Sequence, residues 1–231
     1  MPEPAVDIKN VGRKFRRGGE DFWALRDISL RIEAGQVLVI TGRSGSGKTT
    51  LLNILGALET ATQGNVRVCG FDLGSLRASQ RAEFRRDRVG FVFQAFHLIE
   101  EKSAVANVML PLMIAGVHPA EAEQKALEHL ESVGLADISR ERVETFSAGQ
   151  KQRTALARGL VNDPEILIAD EPTGNLDREN GAAVFSLLME NAVQKGKTVL
   201  IATHDIAILP DSIEYMISLE KGNIAYDTKT V

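Results

Sequence analysis

Residues 42–49 read GRSGSGKT, and this stretch decides the fold. It follows the apolar run 37–40 (VLVI) and precedes the helix-like segment 50–55 (TLLNIL). Glycines allow the backbone to curl so that successive N–H groups point inward, and a helix that begins here adds the positive end of its dipole. The sequence therefore predicts a phosphate-binding loop between a strand and a helix.

A nucleoside triphosphate is the expected ligand of this loop. Lys48 would reach its outer phosphates, and the Thr49 hydroxyl would ligate the accompanying magnesium. A flexible glycine loop beside an unrelated lysine is the alternative, which the strand before and the helix after disfavour. The predicted contacts are Gly42, Arg43, Ser44, Gly45, Ser46, Gly47, Lys48, Thr49 and Thr50.

Composition is that of a soluble globular protein, with 231 residues, 44% apolar and 25% charged. A net charge of −4 argues against a nucleic-acid partner, which would favour a basic excess. The single cysteine, Cys69, excludes an internal disulfide. Residues 1–10 lack a signal-peptide core, and no stretch reaches the roughly 18–20 apolar residues of a membrane span. The chain is therefore not expected to enter the membrane alone.

Apolar patterning predicts an α/β fold. Alternation over residues 5–41 indicates antiparallel strands, and an amphipathic segment at 179–194 separates later strand-like runs, which favours parallel pairing. A helix at 119–133 belongs to a helical subdomain at about 95–160. The prediction is one domain over 1–231, a P-loop NTPase core with an N-terminal antiparallel β subdomain and an inserted helical subdomain.

Two carboxylates follow the apolar strand 166–169 (ILIA), at the strand end where open α/β sheets bind ligands. Because neighbours on a strand point to opposite sides, Asp170 would hold magnesium while Glu171 aims at a water that attacks the γ-phosphate. A solvated loop start is the alternative for this pair. His204 follows another strand-like run. Taken by itself, it would be interpreted as a buried or surface histidine without function.

The segment 146–153 reads FSAGQKQR and predicts a helix start. Ser147 is a suitable N-cap, and residues 150–161 follow a helical pattern. An exposed helix start with a hydroxyl and a glycine N–H can bind an anion, although many helices begin this way for capping alone.

These motifs together resemble the nucleotide-binding subunits of ATP-binding cassette (ABC) transporters over essentially the full chain. In the family pattern, GRSGSGKT is the Walker A loop, ILIADE is the Walker B strand, and FSAGQ is the signature motif. Gln94 matches the Q-loop, residues 174–177 (GNLD) match the D-loop, and His204 matches the switch histidine.

The resemblance implies two subunits, expected to be a homodimer, placed head to tail around two ATP molecules. Ser147, Gly149 and Gln150 would contact the γ-phosphate held by the partner, and Asp177 would lie in the same interface. Lys48, Gln94, Glu171 and His204 are the implied catalytic residues, and Thr49, Gln94 and Asp170 the implied magnesium ligands.

Phe15 stands where the family usually stacks an aromatic ring on adenine. Phenylalanine keeps the π-face of the usual tyrosine. The alternative for Phe15, and for nearby Phe22 and Trp23, is strand core. Phe146 and Ala148 depart from the common LSGGQ signature, and the Ala148 methyl group adds bulk near a partner's nucleotide.

The chain most resembles the branch of lipoprotein-releasing, macrolide-exporting and cell-division ATPases. This branch implies a separate transmembrane permease, a peripheral position on the cytoplasmic face of the inner membrane, and mechanical driving of lipoprotein, lipid, drug or peptide export. The apolar stretch 105–113 is the expected docking site, with Val108 and Leu112 as contacts. The alternatives are a weakly active regulatory subunit of a heteromer and a soluble ABC ATPase without a transport role.

Overall fold

The computed structural model describes residues 3–193, 195–210, 213 and 215–229. In chain order its strands are β1 (Val6–Arg17), β2 (Glu20–Ile32), β3 (Val37–Thr41), β4 (Gln63–Val68), β5 (Phe71–Asp72), β6 (Val89–Phe93), β7 (Ile166–Asp170), β8 (Thr198–Ala202), β9 (Tyr215–Glu220) and β10 (Asn223–Asp227). Its α-helices are α1 (Lys48–Leu55), α2 (Ala78–Arg88), α3 (Ala104–Ile114), α4 (Pro119–Ser132), α5 (Ala148–Leu160) and α6 (Arg178–Leu188). A π-helical segment, Met189–Val193, continues α6. Gln194, the last residue of a predicted helix, lies outside the described residues.

A six-stranded sheet carries the predicted phosphate loop. Its spatial order is β10-β9-β3-β8-β7-β6; β9, β3, β8, β7 and β6 are parallel, and β10 runs antiparallel to β9. The central strands are apolar and buried along most of their length, as expected for parallel strands covered on both faces. Since β3 and β7 are parallel, the phosphate loop and the two carboxylates emerge at the same edge of the sheet.

A second sheet of four strands, β2-β1-β4-β5, is antiparallel and confirms the predicted N-terminal β region. Its first two strands form a long hairpin. Arg13 pairs with Leu25 and Lys14 pairs with Trp23, so Ala24 is left over as a β-bulge. Such bulges bend a strand and redirect its side chains.

Two buried apolar clusters cover the faces of the parallel sheet. One joins the antiparallel sheet and α1 to it, and the other joins α3, α4, α5 and α6 to it. On α4, Ala122, Ala126 and Leu130 are buried at four-residue spacing, which confirms the amphipathic helix predicted there. None of the helices in the described ranges is long and apolar enough to cross a bilayer.

The helix after the signature begins at Ala148, directly after Ser147, which confirms Ser147 as the predicted N-cap. One sequence-based expectation needs correction. Val108 and Leu112 are only 0% and 3% exposed and belong to the core, so they are not surface contacts. The exposed end of α3 is formed by Met113 and Ile114.

Candidate functional site

The phosphate loop adopts backbone conformations that require glycine. Gly42 and Gly47 have φ of +142° and +110°, and Gly47 is the residue immediately before α1. A Cβ at Gly47 would lie 2.6 Å from the carbonyl oxygen of Ala24, so an alanine would collide with the bulge of β2. These conformations let the loop curl around an anion at the start of a helix.

An open cleft of about 730 Å³ surrounds this loop. It brings together side chains from both sheets and from segments far apart in the sequence. The lining residues are Phe15, Phe22, Ala24, Arg43, Ser44, Gly45, Ser46, Gly47, Lys48, Thr49, Thr50, Gln94, Glu171 and His204. Most of the residues predicted from the Walker A loop, and all four predicted catalytic residues, therefore lie around one cavity.

Lys48 is held inside the cleft by oxygen atoms of Gly42, Arg43 and Glu171. Its Nζ donates a hydrogen bond to the carbonyl oxygen of Gly42 at 2.8 Å and lies 3.4 Å from Oε1 of Glu171. The side chains of Lys48 and Glu171 are only 8% and 15% exposed. The ammonium group is therefore oriented and paired where the outer phosphates of a nucleotide would bind.

Glu171 lies just beyond β7 in a left-handed conformation, with φ of +49°. Its backbone N–H donates to the carbonyl oxygen of Ala202 at 2.9 Å, which anchors it to β8. Its Oε2 is 2.7 Å from Nδ1 of His204 and accepts the backbone N–H of His204 at 3.3 Å. One carboxylate thus contacts both Lys48 and the histidine predicted as the switch residue.

The expected alternation of the two carboxylates does not hold at this strand end. The Thr49 side chain lies close enough to Asp170 to lower the pKa of its carboxyl against the larger effect of burial, while Glu171 contacts the adjacent Lys48. The left-handed backbone at Glu171 breaks the two-residue period of the strand, so both acids approach the beginning of α1.

Asp170 has the character of a metal ligand. Burial, the largest cause, raises its pKa above the ordinary value, and Oδ1 is buried without a hydrogen-bond partner among the described residues. A carboxylate and a hydroxyl are the hard oxygen ligands that magnesium prefers, usually together with phosphate oxygens and water. Asp170 and Thr49 therefore fit a magnesium ion bound with a nucleotide. The described residues hold no cluster of three or more His, Cys, Asp or Glu side chains suited to a metal.

Gln94 follows the last residue of β6 and is fixed by Asn175. Its Nε2 donates to Oδ1 of Asn175 at 3.2 Å, and Nδ2 of Asn175 donates to its backbone oxygen at 2.8 Å. Gln94 lines the cleft, whereas the preceding residue, Phe93, lines a separate apolar groove. This reciprocal pair joins the predicted Q-loop to the predicted D-loop.

The signature residues do not line the cleft. Ser147 Oγ accepts the backbone N–H of Gln150 at 3.3 Å, and Oε1 of Gln150 accepts the backbone N–H of Ser147 at 2.8 Å, which forms a capping box. Ser147 and Ala148 are exposed, and a Cβ at Gly149 would lie 3.2 Å from Asn180. In the same region Phe146 is buried in the core, which accounts for its apolar character.

Asp177, the predicted D-loop acid, also lies outside the cleft. It caps α6: Oδ1 accepts the backbone N–H of Asn180 at 2.9 Å, and Oδ2 accepts its side-chain amide at 2.7 Å. The backbone hydrogen bond from Asn180, followed by the side-chain bond, holds the pKa of Asp177 below its ordinary value. Asp177 lines a separate small pocket with Thr173 and Asp205.

Sequence reasoning did not assign Phe22, Ala24 or Asn175 to the site. Phe22 had been left as possible strand core beside Trp23, yet it lines the cleft opposite Phe15 on the hairpin. The sequence Arg17-Gly18-Gly19-Glu20 contains a usable signal, because two glycines between strand-like runs favour a hairpin turn, and continuing the pairing outward from it places residue 22 across from residue 15. The bulge at Ala24 and the distant partner of Gln94 have no such local signal.

The family model described as ABC transporter matches residues 25–174. The chain belongs to the ABC transporter family. The predicted P-loop fold with its antiparallel sheet and helical lobe is thereby confirmed, and the cassette is an ATP-binding ATPase of the type found in LolD and MacB systems.

Two curated relatives of this ABC ATPase match nearly all of the chain. The lipoprotein-releasing system ATP-binding protein LolD of Saccharophagus degradans is 40% identical over 96% of this chain and 97% of its own length. The macrolide export ATP-binding/permease protein MacB of Bradyrhizobium diazoefficiens is 40% identical over 100% of this chain. The chain spans only 35% of that MacB protein.

A solved structure shares the fold of this ABC ATPase. The dimeric structure of a post-hydrolysis state of the ATP-binding cassette MJ0796, bound to ADP and Pi, is 37% identical with a TM-score of 0.87. The match covers 96% of this chain and 97% of the MJ0796 chain.

Proposed function

We propose that this ABC ATPase closes with a second copy of itself around two ATP molecules and thereby drives a transmembrane permease on a separate chain. The observation that carries the proposal is the separation of the signature from the cleft. Ser147 is exposed at the start of α5, whereas the cleft around Lys48 is open and contains no signature residue. Each chain thus offers two incomplete half-sites, and the dimeric MJ0796 cassette supports their completion by a second chain.

Within one chain, the residues that line the cleft have distinct roles in ATP hydrolysis. The Walker A backbone binds phosphates, and Lys48 exchanges its contact with Glu171 for the γ-phosphate. Glu171 then accepts a proton from the attacking water as a general base. His204 orients this carboxylate through the contact at 2.7 Å. Gln94 lies at the same cavity and is placed to respond to the nucleotide.

Asp170 and Thr49 would hold magnesium together with the phosphates of ATP, and Gln94 would complete the protein ligands. The buried, unpartnered Oδ1 of Asp170 supports this assignment. A bound magnesium ion would supply positive charge beside the phosphate oxygens of ATP.

The second copy would supply Ser147, Gly149 and Gln150 to the γ-phosphate and Asp177 to the interface. An exposed helix N-terminus with a hydroxyl is suited to an anion, and the open surface around Ser147 leaves it accessible. Phe15 would stack on the adenine of the same chain's nucleotide, since it lines the cleft with its ring beside Phe22.

An apolar groove of about 630 Å³ is the proposed docking site for the permease. It lies between α2, β6, α3 and α5, and Phe93 connects it to Gln94 of the cleft. Ile114, which is 72% exposed, stands at its edge. An amphipathic helix of the permease would fit such a groove. This replaces Val108 and Leu112 as the docking contacts.

Replacing Ile114 tests the groove without disturbing the core. Ile114→Asp is expected to lower permease binding while the isolated cassette keeps its thermal stability and its basal ATPase rate, because the side chain is exposed. Met113→Asp is the neighbouring control, since Met113 is exposed but does not line the groove. Equal permease binding by wild type and Ile114→Asp would argue against docking here.

We place the assembly at the cytoplasmic face of the inner membrane, with the cassette as a peripheral subunit. The names of the relatives, macrolide export and lipoprotein release, support export of a lipoprotein, lipid, drug or peptide. The division into one domain over 1–231 with a helical subdomain at about 95–160 stays a prediction, as does the absence of a nucleic-acid partner.

Trapping the closed state tests the whole proposal. Glu171→Gln protein loaded with Mg-ATP is used as bait against solubilised membranes and soluble extract, with Lys48→Ala as the control that should not bind ATP tightly. Recovery of a separate permease that requires ATP supports the proposal. Recovery of ribosomes or of a different cassette subunit would instead indicate a soluble role or a regulatory heteromer.

A further inference from the structure

Two aromatic rings, rather than one, line the cleft. Phe15 and Phe22 are a cross-strand pair of β1 and β2, with ring centroids 5.8 Å apart and ring planes at 28°. Phe22 is 46% exposed, although a large apolar side chain is normally buried. An exposed ring at the mouth of a ligand cleft keeps surface available for a flat apolar ligand group.

The ring of Phe15 is fixed by a cation. The Cζ atom of Arg13 lies 4.5 Å from the ring centroid, and its Nη2 is 2.8 Å from Oε1 of Glu59. Glu59 follows α1, and its backbone N–H donates to the carbonyl oxygen of Asn53 in that helix at 3.0 Å. Arg13 thus connects Phe15 to the helix that begins at the phosphate loop.

The bulge of β2 provides a second connection. Ala24 has no cross-strand partner, and its carbonyl oxygen lies against Gly47, where a Cβ would be only 2.6 Å away. Ala24 is two residues from Phe22 in β2. The close contact between the Ala24 carbonyl oxygen and the backbone of Gly47 therefore fixes the position of this part of β2, and with it Phe22, relative to the phosphate loop. Both rings are therefore held in a defined place beside the triphosphate site.

We infer that Phe22 is a second base-stacking residue and that Arg13 is a positioning residue for Phe15. The inference rests on the proposed function, in which Phe15 contacts adenine. Among the described lining residues, the hydrogen-bonding side chains belong to the phosphate loop, Gln94, Glu171 and His204, whereas the hairpin contributes only Phe15, Phe22 and Ala24. Affinity for the base therefore comes from stacking, and a second ring increases it.

Comparing two ligands separates stacking from structural effects. Calorimetric titrations with Mg-ATP and with Mg-tripolyphosphate, which lacks the base, are performed on wild type, Phe22→Ala and Phe22→Leu. We expect Phe22→Ala to weaken ATP binding about five- to tenfold and to leave tripolyphosphate unchanged. Phe22→Leu restores apolar volume without a π-face and recovers only part of the loss. The control is Tyr226→Ala, which removes an aromatic side chain that is 50% exposed and lies outside the cleft. It should change the affinity for neither Mg-ATP nor Mg-tripolyphosphate.

Arg13 is tested by the same pair of titrations. Arg13→Ala should weaken ATP binding about threefold, in the range of a single cation–π contact, with tripolyphosphate binding unchanged. Arg13→Lys retains a cation and should be intermediate. An equal loss of affinity for both ligands would show that Arg13 only maintains the fold, and would overturn its role as a positioning residue.

The Phe15→Ala variant distinguishes failure of this inference from failure of the proposed function. We expect it to lose about tenfold in ATP affinity. If Phe22→Ala stays within twofold of wild type while Phe15→Ala weakens, the role of Phe22 is overturned and the proposed function stands. If neither variant changes ATP affinity, the base does not bind at the hairpin; this inference and the proposed contact of Phe15 with adenine then both fail, whereas the proposed closure around ATP is decided by the trapping experiment.

Discussion

Replacing Glu171 with glutamine should separate the structural role of this carboxylate from its catalytic role. In the structure its Oε1 is 3.4 Å from Nζ of Lys48, and its Oε2 is 2.7 Å from Nδ1 of His204. Glutamine keeps the volume and a hydrogen-bonding group but removes the negative charge. The variant therefore leaves the ammonium of Lys48 without its ionic partner.

The size of the structural effect follows from the geometry of the pair. Two unit charges 3.4 Å apart attract by about 5 kcal/mol at an effective dielectric constant near 20. The solvent that reaches the open cleft, and the Gly42 carbonyl oxygen that still accepts from Lys48, reduce the net loss to about 1–3 kcal/mol. For a chain of this length, this corresponds to a fall in Tm of about 2–12 °C.

Mg-ATP should reverse most of this destabilisation, because its γ-phosphate gives Lys48 an anionic partner again. We expect a larger rise in Tm on adding Mg-ATP than in wild type, with ATP affinity at least as high. Steady-state hydrolysis should fall about 10²- to 10⁴-fold, the usual effect of losing a general base. Calorimetric unfolding with and without Mg-ATP, together with a phosphate-release assay, measures these quantities.

The control is Glu190→Gln, which neutralises an exposed glutamate outside the cleft. This variant should change neither the Tm, nor the ATP affinity, nor the rate of hydrolysis. An unchanged Tm in nucleotide-free Glu171→Gln would refute the argument that the Lys48 pair stabilises the empty site. Hydrolysis within tenfold of wild type would refute the role of Glu171 as the base. The two results are independent, so each part of the reasoning can fail alone.

Three further predictions concern a carboxylate, a thiol and a glycine. Burial raises the pKa of Asp170, so the folded state holds its proton more tightly, and stability declines as pH rises above the pKa of the unfolded chain. Asp170→Asn should therefore be more stable than wild type at pH 7 without ligand, yet it should lose the stabilisation by Mg-ATP. Thermal unfolding with and without Mg-ATP measures both effects. Burial, then Glu165, raises the pKa of Cys69 to about 12, so reaction with a disulfide reagent at pH 8 should be about 10³-fold slower than for free cysteine. Gly47→Ala should lower the free energy of unfolding by about 1–3 kcal/mol in urea titrations, more than Gly18→Ala, whose Cβ would meet open space.

Much of the fold was predictable from sequence, because its signals are local. The glycines of residues 42–49 specify a loop conformation directly, and the flanking apolar runs identify its strand and helix. The capping box at Ser147 is likewise encoded within four residues. Such features depend on neighbours in the chain, so a single sequence contains them.

Orientation within uniformly apolar segments was not predictable in this way. Helix α3 is apolar nearly all round, so its sequence did not indicate that Val108 is buried while Ile114 is exposed. Contacts between residues far apart in the sequence were also not predicted. Gln94 and Asn175 are 81 residues apart, and the left-handed backbone of Glu171 depends on its hydrogen bond to Ala202 on a neighbouring strand.

Two adjacent residues, Phe93 and Gln94, line two different cavities, so the end of β6 is a short physical connection between the groove and the cleft. Any occupant of the groove that shifts Phe93 also acts on Gln94, and through its paired hydrogen bonds on Asn175. Linkage requires that the factor by which a groove occupant changes ATP affinity equals the factor by which ATP changes affinity for that occupant. A groove partner that binds more tightly in the presence of ATP must therefore itself strengthen ATP binding by the same factor.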